Sequence, residues 1–352
     1  VSTAYQPVLW NRQKIIYDLI LLGSVVLYIY LFVIIAQQVG PVTNPLDVRG
    51  IQIRAYGSAA FILLHVILSI GPLCRLSPKF LPLLYNRRHM GVTMAVLGIL
   101  HTRRVLGWYH DFGNLDPLVS ALVSNLHLTA FFRFPFEILG FLALGILFVM
   151  AATSHDFWLA NLTAPVWKAL HMLVYLAYGL LVGHVVLGAL QSHRHPLLSI
   201  LVGLGFMWIV AIHLVTALRE GPLDQALGQA QVDGFVDVAD VNEIPENRAK
   251  IVCLGGERVA VFRYEGKISA ISNVCQHQNG PLGEGKILEG CITCPWHGYQ
   301  YEPNTGASPP PFTEKVPTFD VKIAGDRVWV KAIPNRPGTP VEPALIAPGV
   351  AP

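Results

Sequence analysis

"NVCQHQNG" (residues 273–280) and "CPWHG" (residues 294–298) each pair one cysteine with one histidine, and sixteen residues lie between His277 and Cys294. The four side chains are Cys275, His277, Cys294 and His297, in a Cys-x-His and a Cys-x-x-His loop. Two thiolates and two imidazoles suit zinc or an iron–sulfur cluster. Structural zinc sites usually pair Cys with Cys and His with His along the chain. Here each loop brings one of each, which is what a [2Fe–2S] centre needs when two cysteines hold one iron and two histidines the other.

Around these loops, short alternating stretches such as "RVAVFRY", "KISAISNV" and "RVWVKAI" are punctuated by turns such as "YEGK" and "AGDR". That pattern predicts a small all-β domain. The rest of the chain differs. Of its 352 residues, 53% are hydrophobic and 13% charged, about half the charge of a soluble domain. The apolar share concentrates before residue 219, where six runs reach membrane-spanning length: roughly 15–36, 51–73, 84–106, 136–154, 164–190 and 197–218. The expectation is a multidomain chain, a six-helix transmembrane bundle over 1–224, a β domain over 225–333 and a Pro-rich tail over 334–352. A net charge of +3 gives no reason to expect nucleic acid. Five cysteines are too few and too clustered for a disulfide framework, and Cys74, Cys253 and Cys291 are expected as structural thiols.

Six crossings put both ends of the bundle, and the β domain, on one side. Flanks on that side carry Arg12, Lys14, Arg75, Lys79, Arg87, Arg88, Lys168 and Arg219, against Arg49, Arg54, Arg103, Arg104, Arg133 and Arg194 on the other. The excess favours a cytoplasmic β domain on an integral inner-membrane protein surrounded by lipid.

Histidines within the spans carry the chemistry, because a polar side chain in a bilayer is costly and usually functional. His89 and His101 are twelve apart on the third run, about 18 Å of helix, and His171 and His184 thirteen apart on the fifth, about 20 Å. His101 therefore lies level with His184, and His89 near His171. Facing imidazoles in a bundle are what a bis-histidine haem needs. Without a CxxCH, the expectation is two non-covalent b-type haems. His65 is the alternative partner of His171, and His213 lies near the same level. The segment "NLDPLVSALVSNLH" (residues 114–127) predicts a surface helix on the far side, with an acceptor site beside the outer haem as the sharper reading.

"RRHMGVTMAVLGILH" (residues 87–101) and "LHMLVYLAYGLLVGH" (residues 170–184) resemble the third and fifth helices of the ferric-reductase-like transmembrane superfamily. The likeness is strongest to the haem-bearing membrane subunits of bacterial methionine sulfoxide reductase systems and covers about residues 15–220. It implies haem association for His101, His171 and His184. His89 departs from it: in NADPH oxidases the second histidine of helix three lies fourteen residues before the other, and a spacing of twelve turns the side chain by about 160°. "CQHQNGPLGEG" (residues 275–285), "CITCPWHGYQYEPNTG" (residues 291–306) and "SPPP" (residues 308–311) resemble a Rieske ferredoxin, with the Pro-rich loop that covers its cluster. The cytochrome bc type has bridged cysteines where this chain has Gly280 and Trp296, and a serine where it has Tyr299. Tyr301 matches the tyrosine of the high-potential type. The resemblance thus implies a potential in the lower to middle part of the range of about −150 to +300 mV.

Haem and cluster are one-electron carriers, and no catalytic nucleophile, phosphate loop or flavin pattern accompanies them. The expected function is transmembrane electron transfer with a redox partner protein or subunit on either face. The alternatives are a quinol-linked, miniature cytochrome bc-like carrier and a non-catalytic anchor for the β domain.

Overall fold

The computed structural model describes residues 12–39, 45–154, 158, 162, 164–192, 196–224, 231–277, 280–296 and 298–346. The chain divides into two compact units, one from residues 11–72 and 86–212, the other including 73–85 and the chain from 213 onward.

The helical part runs α1 (Arg12–Val39), α2 (Pro45–Leu76), α3 (Arg87–Val105), α4 (Pro117–Val123), α5 (Phe136–Ala152), α6 (Ala164–Met172), α7 (Val174–Leu187), α8 (Ala189–Ser192) and α9 (Pro196–Asp224). Among the described residues, four helical stretches are long and apolar enough to cross a membrane: Lys14–Gln38, Val48–Leu76, Val166–Gln191 and Pro196–Arg219. The third of these strings α6, α7 and α8 together across short breaks at Leu173 and Gly188. The other two expected spans are shorter helices: α5, with 17 residues, and α3, with 19 residues and arginines at both ends. Outward faces of α1 and α9 are apolar, with Leu19, Val26, Leu204 and Met207 each at least 60% exposed, as hydrocarbon contact requires. The expected surface helix is α4. Asp116 caps it by accepting from the N–H groups of Leu118 and Val119, and Pro117 occupies its first turn.

Among the described residues the β domain has twelve strands: β1 (Gln231–Val232), β2 (Phe235–Asp240), β3 (Arg248–Leu254), β4 (Glu257–Tyr264), β5 (Lys267–Ser272), β6 (Lys286–Leu288), β7 (Cys291–Thr293), β8 (Gln300–Tyr301), β9 (Thr318–Phe319), β10 (Val321–Ala324), β11 (Arg327–Lys331) and β12 (Ala344–Leu345). They form sheets in the orders β1-β2-β11-β10, β12-β5-β4-β3 and β6-β7-β8, with β9 also on β5. β4 joins β5 through Glu265-Gly266, both at positive φ, the backbone a two-residue hairpin demands. Because strand side chains alternate, β4 serves two cores. Val259 and Val261 enter one with Phe319 and Val330; Ala260 and Phe262 enter the other with Cys275, Cys294, Tyr299 and Tyr301. The ligand loops are thereby rooted in a packed core. Residues 334–346 of the Pro-rich stretch lie along this domain: β12 pairs with β5, and the Val341 N–H donates to the Asn304 carbonyl.

Phe319 is fully buried in the first core, away from the cysteines. Phe319→Ala lowers the stability of the β domain by about 3–5 kcal/mol, read as a shifted midpoint in pulse proteolysis of the full chain across a urea series.

Candidate redox centres

Each cysteine loop is closed by its own backbone. The Cys275 N–H donates to the Gly280 carbonyl at 2.9 Å, and the Asn273 side chain accepts from Gly283 N–H at 2.6 Å. In the second loop the Cys294 N–H donates to the Tyr299 carbonyl at 2.7 Å, and the turn passes through Gly298 at φ +74°. The two loops meet tightly: a Cβ on Gly280 would lie 2.7 Å from Cys294 Sγ and 3.3 Å from the Trp296 ring. Gly280 is therefore required by the close approach of the loops. Cys275 and Cys294 are in no disulfide and are 1% and 2% exposed.

His277 lies in the first loop with its ring stacked on Tyr299, at 4.8 Å and 9°. His297 falls outside the described residues. Among the described residues no three Cys, His, Asp or Glu side chains converge as a metal-binding group. Two buried thiols on loops in contact, with an imidazole beside them, fit the cysteine-held half of a [2Fe–2S] cluster and part of the other half. Tyr301 supports that fit. Its hydroxyl accepts from Gln276 N–H at 3.0 Å and lies 3.4 Å from Cys275 Sγ, within hydrogen-bond reach of the sulfur. Burial, then the neighbouring Cys275 sulfur, pushes the phenol far above its ordinary range and keeps it a donor. Cys74, Cys253 and Cys291 are likewise in no disulfide. Burial, then the charges of Glu302 and Glu289, pushes the Cys291 thiol up, toward the inert form.

In the helical unit, His101 of α3 and His184 of α7 face each other with ring centres 6.4 Å apart and ring planes perpendicular. An imidazole nitrogen binds a first-row metal at about 2 Å, so two imidazoles with their ring centres about 6 Å apart could hold one metal ion between them. The pair fits one haem iron. Its two halves are built alike. His101 Nδ1 bonds the Ile53 carbonyl of α2 and His184 Nδ1 the Phe136 carbonyl of α5, both at 2.9 Å. Four residues beyond each carbonyl stands a glycine, where a Cβ would lie 2.9 Å (Gly57) or 2.8 Å (Gly140) from the ring. Each carbonyl fixes the tautomer and leaves Nε2 for the metal.

Histidines at the other level are engaged differently. His171 Nδ1 bonds the Trp167 carbonyl at 3.0 Å; its ring stacks on Trp167 at 3.7 Å, and its Nε2 lies 3.5 Å from Ser154 Oγ. His89 Nδ1 bonds Asp18 Oδ2 of α1 at 2.7 Å. His65 has both nitrogens engaged, Nδ1 by the Phe61 carbonyl at 2.8 Å and Nε2 by the Tyr178 hydroxyl at 3.1 Å. Sequence reasoning missed Asp18, Gly57 and Gly140. An acid inside an apolar run, and glycines within spanning helices, were the available signals.

Two family models match the chain: "Rieske [2Fe-2S] domain" over residues 234–320 and "Ferric reductase like transmembrane component" over residues 56–182. The ferredoxin component of a naphthalene 1,2-dioxygenase system from Pseudomonas aeruginosa is 36% identical over 98 residues, 27% of this chain and 93% of that protein. A cholesterol 7-desaturase from Ciona intestinalis is 34% identical over 89 residues, 25% of this chain but only 19% of that protein. Among solved structures, the ferredoxin of carbazole 1,9a-dioxygenase from Nocardioides aromaticivorans is 28% identical, with a TM-score of 0.28, covering 29% of this chain and all of the ferredoxin.

Gly280→Ala forces the ligand loops apart and abolishes the reduced-cluster EPR signal of the purified protein while leaving its haem absorbance. Gly57→Val and Gly140→Val each displace one ring of the facing pair and lower haem content at least several-fold, measured as pyridine haemochrome. Gly23→Ala, with nothing within 4 Å, leaves it unchanged.

Proposed function

Because the chain belongs to the Rieske ferredoxin family through its β domain and carries a ferric-reductase-like transmembrane component, we propose that it moves electrons between a Rieske [2Fe–2S] cluster and two b-type haems within the membrane. The two family matches and the apolar helices support an electron-transfer protein of the membrane with redox partners. The finer reading rests above all on one observation: His101 and His184 face each other 6.4 Å apart, each anchored through Nδ1 to a main-chain carbonyl.

When bound, cluster and haem supply one-electron carriage. The chain's part is to hold and tune them. Cys275, Cys294, His277 and His297 are the cluster ligands, and Tyr301 donates toward the Cys275 sulfur. His101 and His184 hold the outer haem. His171 holds the inner one, with His89 as its partner. The Asp18 carboxylate on His89 Nδ1 favours this choice, since ligating imidazoles are typically held through their second nitrogen. His65, bonded at both nitrogens, is the weaker candidate.

We divide the chain into a haem domain over 1–224, a Rieske domain over 225–333 and a Pro-rich segment over 334–352. Six crossings, counting the shorter α3 and α5, put the Rieske domain on the His171 side, and the flanking arginines and lysines make that side cytoplasmic. Electrons would then enter at the inner face and leave at the outer one. The quinol-linked alternative has no specific structural observation in its favour.

His101→Ala or His184→Ala removes about one haem per chain, and His171→Ala or His89→Ala the other, each with the cluster EPR signal intact. Loss of the second haem in His65→Ala with full retention in His89→Ala overturns the choice of partner. In proteoliposomes, a cysteine placed at Gln229 is labelled from the Rieske side only. Stopped-flow mixing shows the cluster reduced before the haems by a donor added on that side. Haem reduced first, by a donor on the opposite side alone, reverses the direction.

A further inference from the structure

Tyr299 is 4% exposed and bound on every side. One face of its ring stacks on His277, nearly parallel at 4.8 Å and 9°. Phe312 meets it edge-on at 5.1 Å, and Tyr301 packs against it at 5.6 Å. Its carbonyl accepts from the Cys294 N–H. Its hydroxyl donates to Glu314 Oε2, which also accepts the Thr313 N–H at 3.1 Å. The Tyr299 proton is thus committed to a carboxylate and is not donated toward the cysteine sulfurs. Tyr301, by contrast, has its hydroxyl within hydrogen-bond reach of Cys275 Sγ, at 3.4 Å.

We propose that Tyr299 and Glu314 form a positioning and tuning pair for the cluster: the ring holds the His277 imidazole face-on, and the carboxylate, one hydrogen bond behind that ring, favours the oxidised centre and lowers its potential. This rests on the reading of His277 as a ligand. The sign follows from electrostatics. An oxidised centre carries one more positive charge than a reduced one, and a carboxylate reaching it through a buried aromatic ring stabilises the more positive form. A partner of this kind alters how electron-rich the ligand is, as outer-shell hydrogen bonds do at metal sites generally. The two tyrosines then oppose each other: Tyr301 stabilises the reduced centre by donating to sulfur, while Tyr299 carries the influence of Glu314 toward the histidine.

The test is an EPR-monitored redox titration of the purified full chain, wild type against Glu314→Gln, Tyr299→Phe and the double variant. Glu314→Gln keeps a hydrogen-bond acceptor and removes the charge; Tyr299→Phe keeps the stacked ring and removes the hydrogen bond. We expect the cluster midpoint to rise in each single variant while the haem midpoints stay in place. We also expect Glu314→Gln to add little in the Tyr299→Phe background, since the two act as one unit. An unmoved midpoint in Glu314→Gln overturns the proposal. So does a shift undiminished when Tyr299 is already phenylalanine, which would mean the carboxylate acts without the hydrogen bond from the Tyr299 hydroxyl. If Glu314→Gln loads no cluster, Tyr299→Phe decides alone: a raised midpoint supports the pair and an unchanged one overturns it. His277→Ala separates this from the underlying reading. A Rieske EPR signal that survives His277→Ala overturns the ligand assignment, whereas its loss, with an unmoved Glu314→Gln midpoint, overturns only the tuning.

Discussion

A histidine buried among apolar helices can bind a metal well only if its other ring nitrogen is already satisfied. His101 and His184 meet this constraint through main-chain carbonyls of neighbouring helices, those of Ile53 and Phe136. The cost falls on packing. For an α3 or α7 imidazole to reach a carbonyl on another helix, the ring must lie in that helix's surface groove, and a side chain four residues beyond would fill the groove. Gly57 and Gly140 keep it open. α3 meets α2 at His101 and α7 meets α5 at His184 through these two contacts, which leave the two rings 6.4 Å apart. Small residues let helices approach in a membrane, where burial of apolar surface gives no net drive. Here they also set where the two imidazoles lie.

The β domain answers a parallel constraint with loops. Its thiols must be buried and yet converge, so the two ligand loops touch through Gly280, where no Cβ would fit beside Cys294. The loops are short and closed by their own backbone bonds, and the same core that holds Phe262 and Ile292 holds both cysteines. Donors and charges around that core then decide how the centre is poised. Tyr301 packs against Tyr299, Tyr299 stacks on His277, and Glu314 accepts the Tyr299 hydroxyl, so these side chains form one connected group beside the two cysteines.

Much of this was legible in the sequence because it is local. The two Cys–His loops carry their own ligands and turn glycines within eight residues. The alternation of β4 and the turn at Glu265-Gly266 announce a hairpin, and Asp116-Pro117 announces the start of α4. The facing of His101 and His184 was legible from spacing along two helices. What was not legible depends on which helix lies beside which. Nothing near Gly57 or Gly140 says that an imidazole will rest there, and nothing near Asp18 says that it will meet His89. Glu314 meets Tyr299 only because the intervening proline-rich loop folds back. The count of spans was the least secure, since α3 and α5 are the shorter helices, and α3 bears arginines at both ends.

The central claim is that one chain joins a Rieske cluster to b-type haem. Metal and haem analysis of the purified full-length protein tests it most directly, combining pyridine haemochrome, total iron and zinc, and low-temperature EPR of the dithionite-reduced sample. The account predicts about two b-type haems and about two non-haem irons per chain, with the EPR signature of a histidine-ligated [2Fe–2S] centre and no stoichiometric zinc. Zinc in place of the non-haem iron, or a dithionite-reduced spectrum without haem bands, would contradict it.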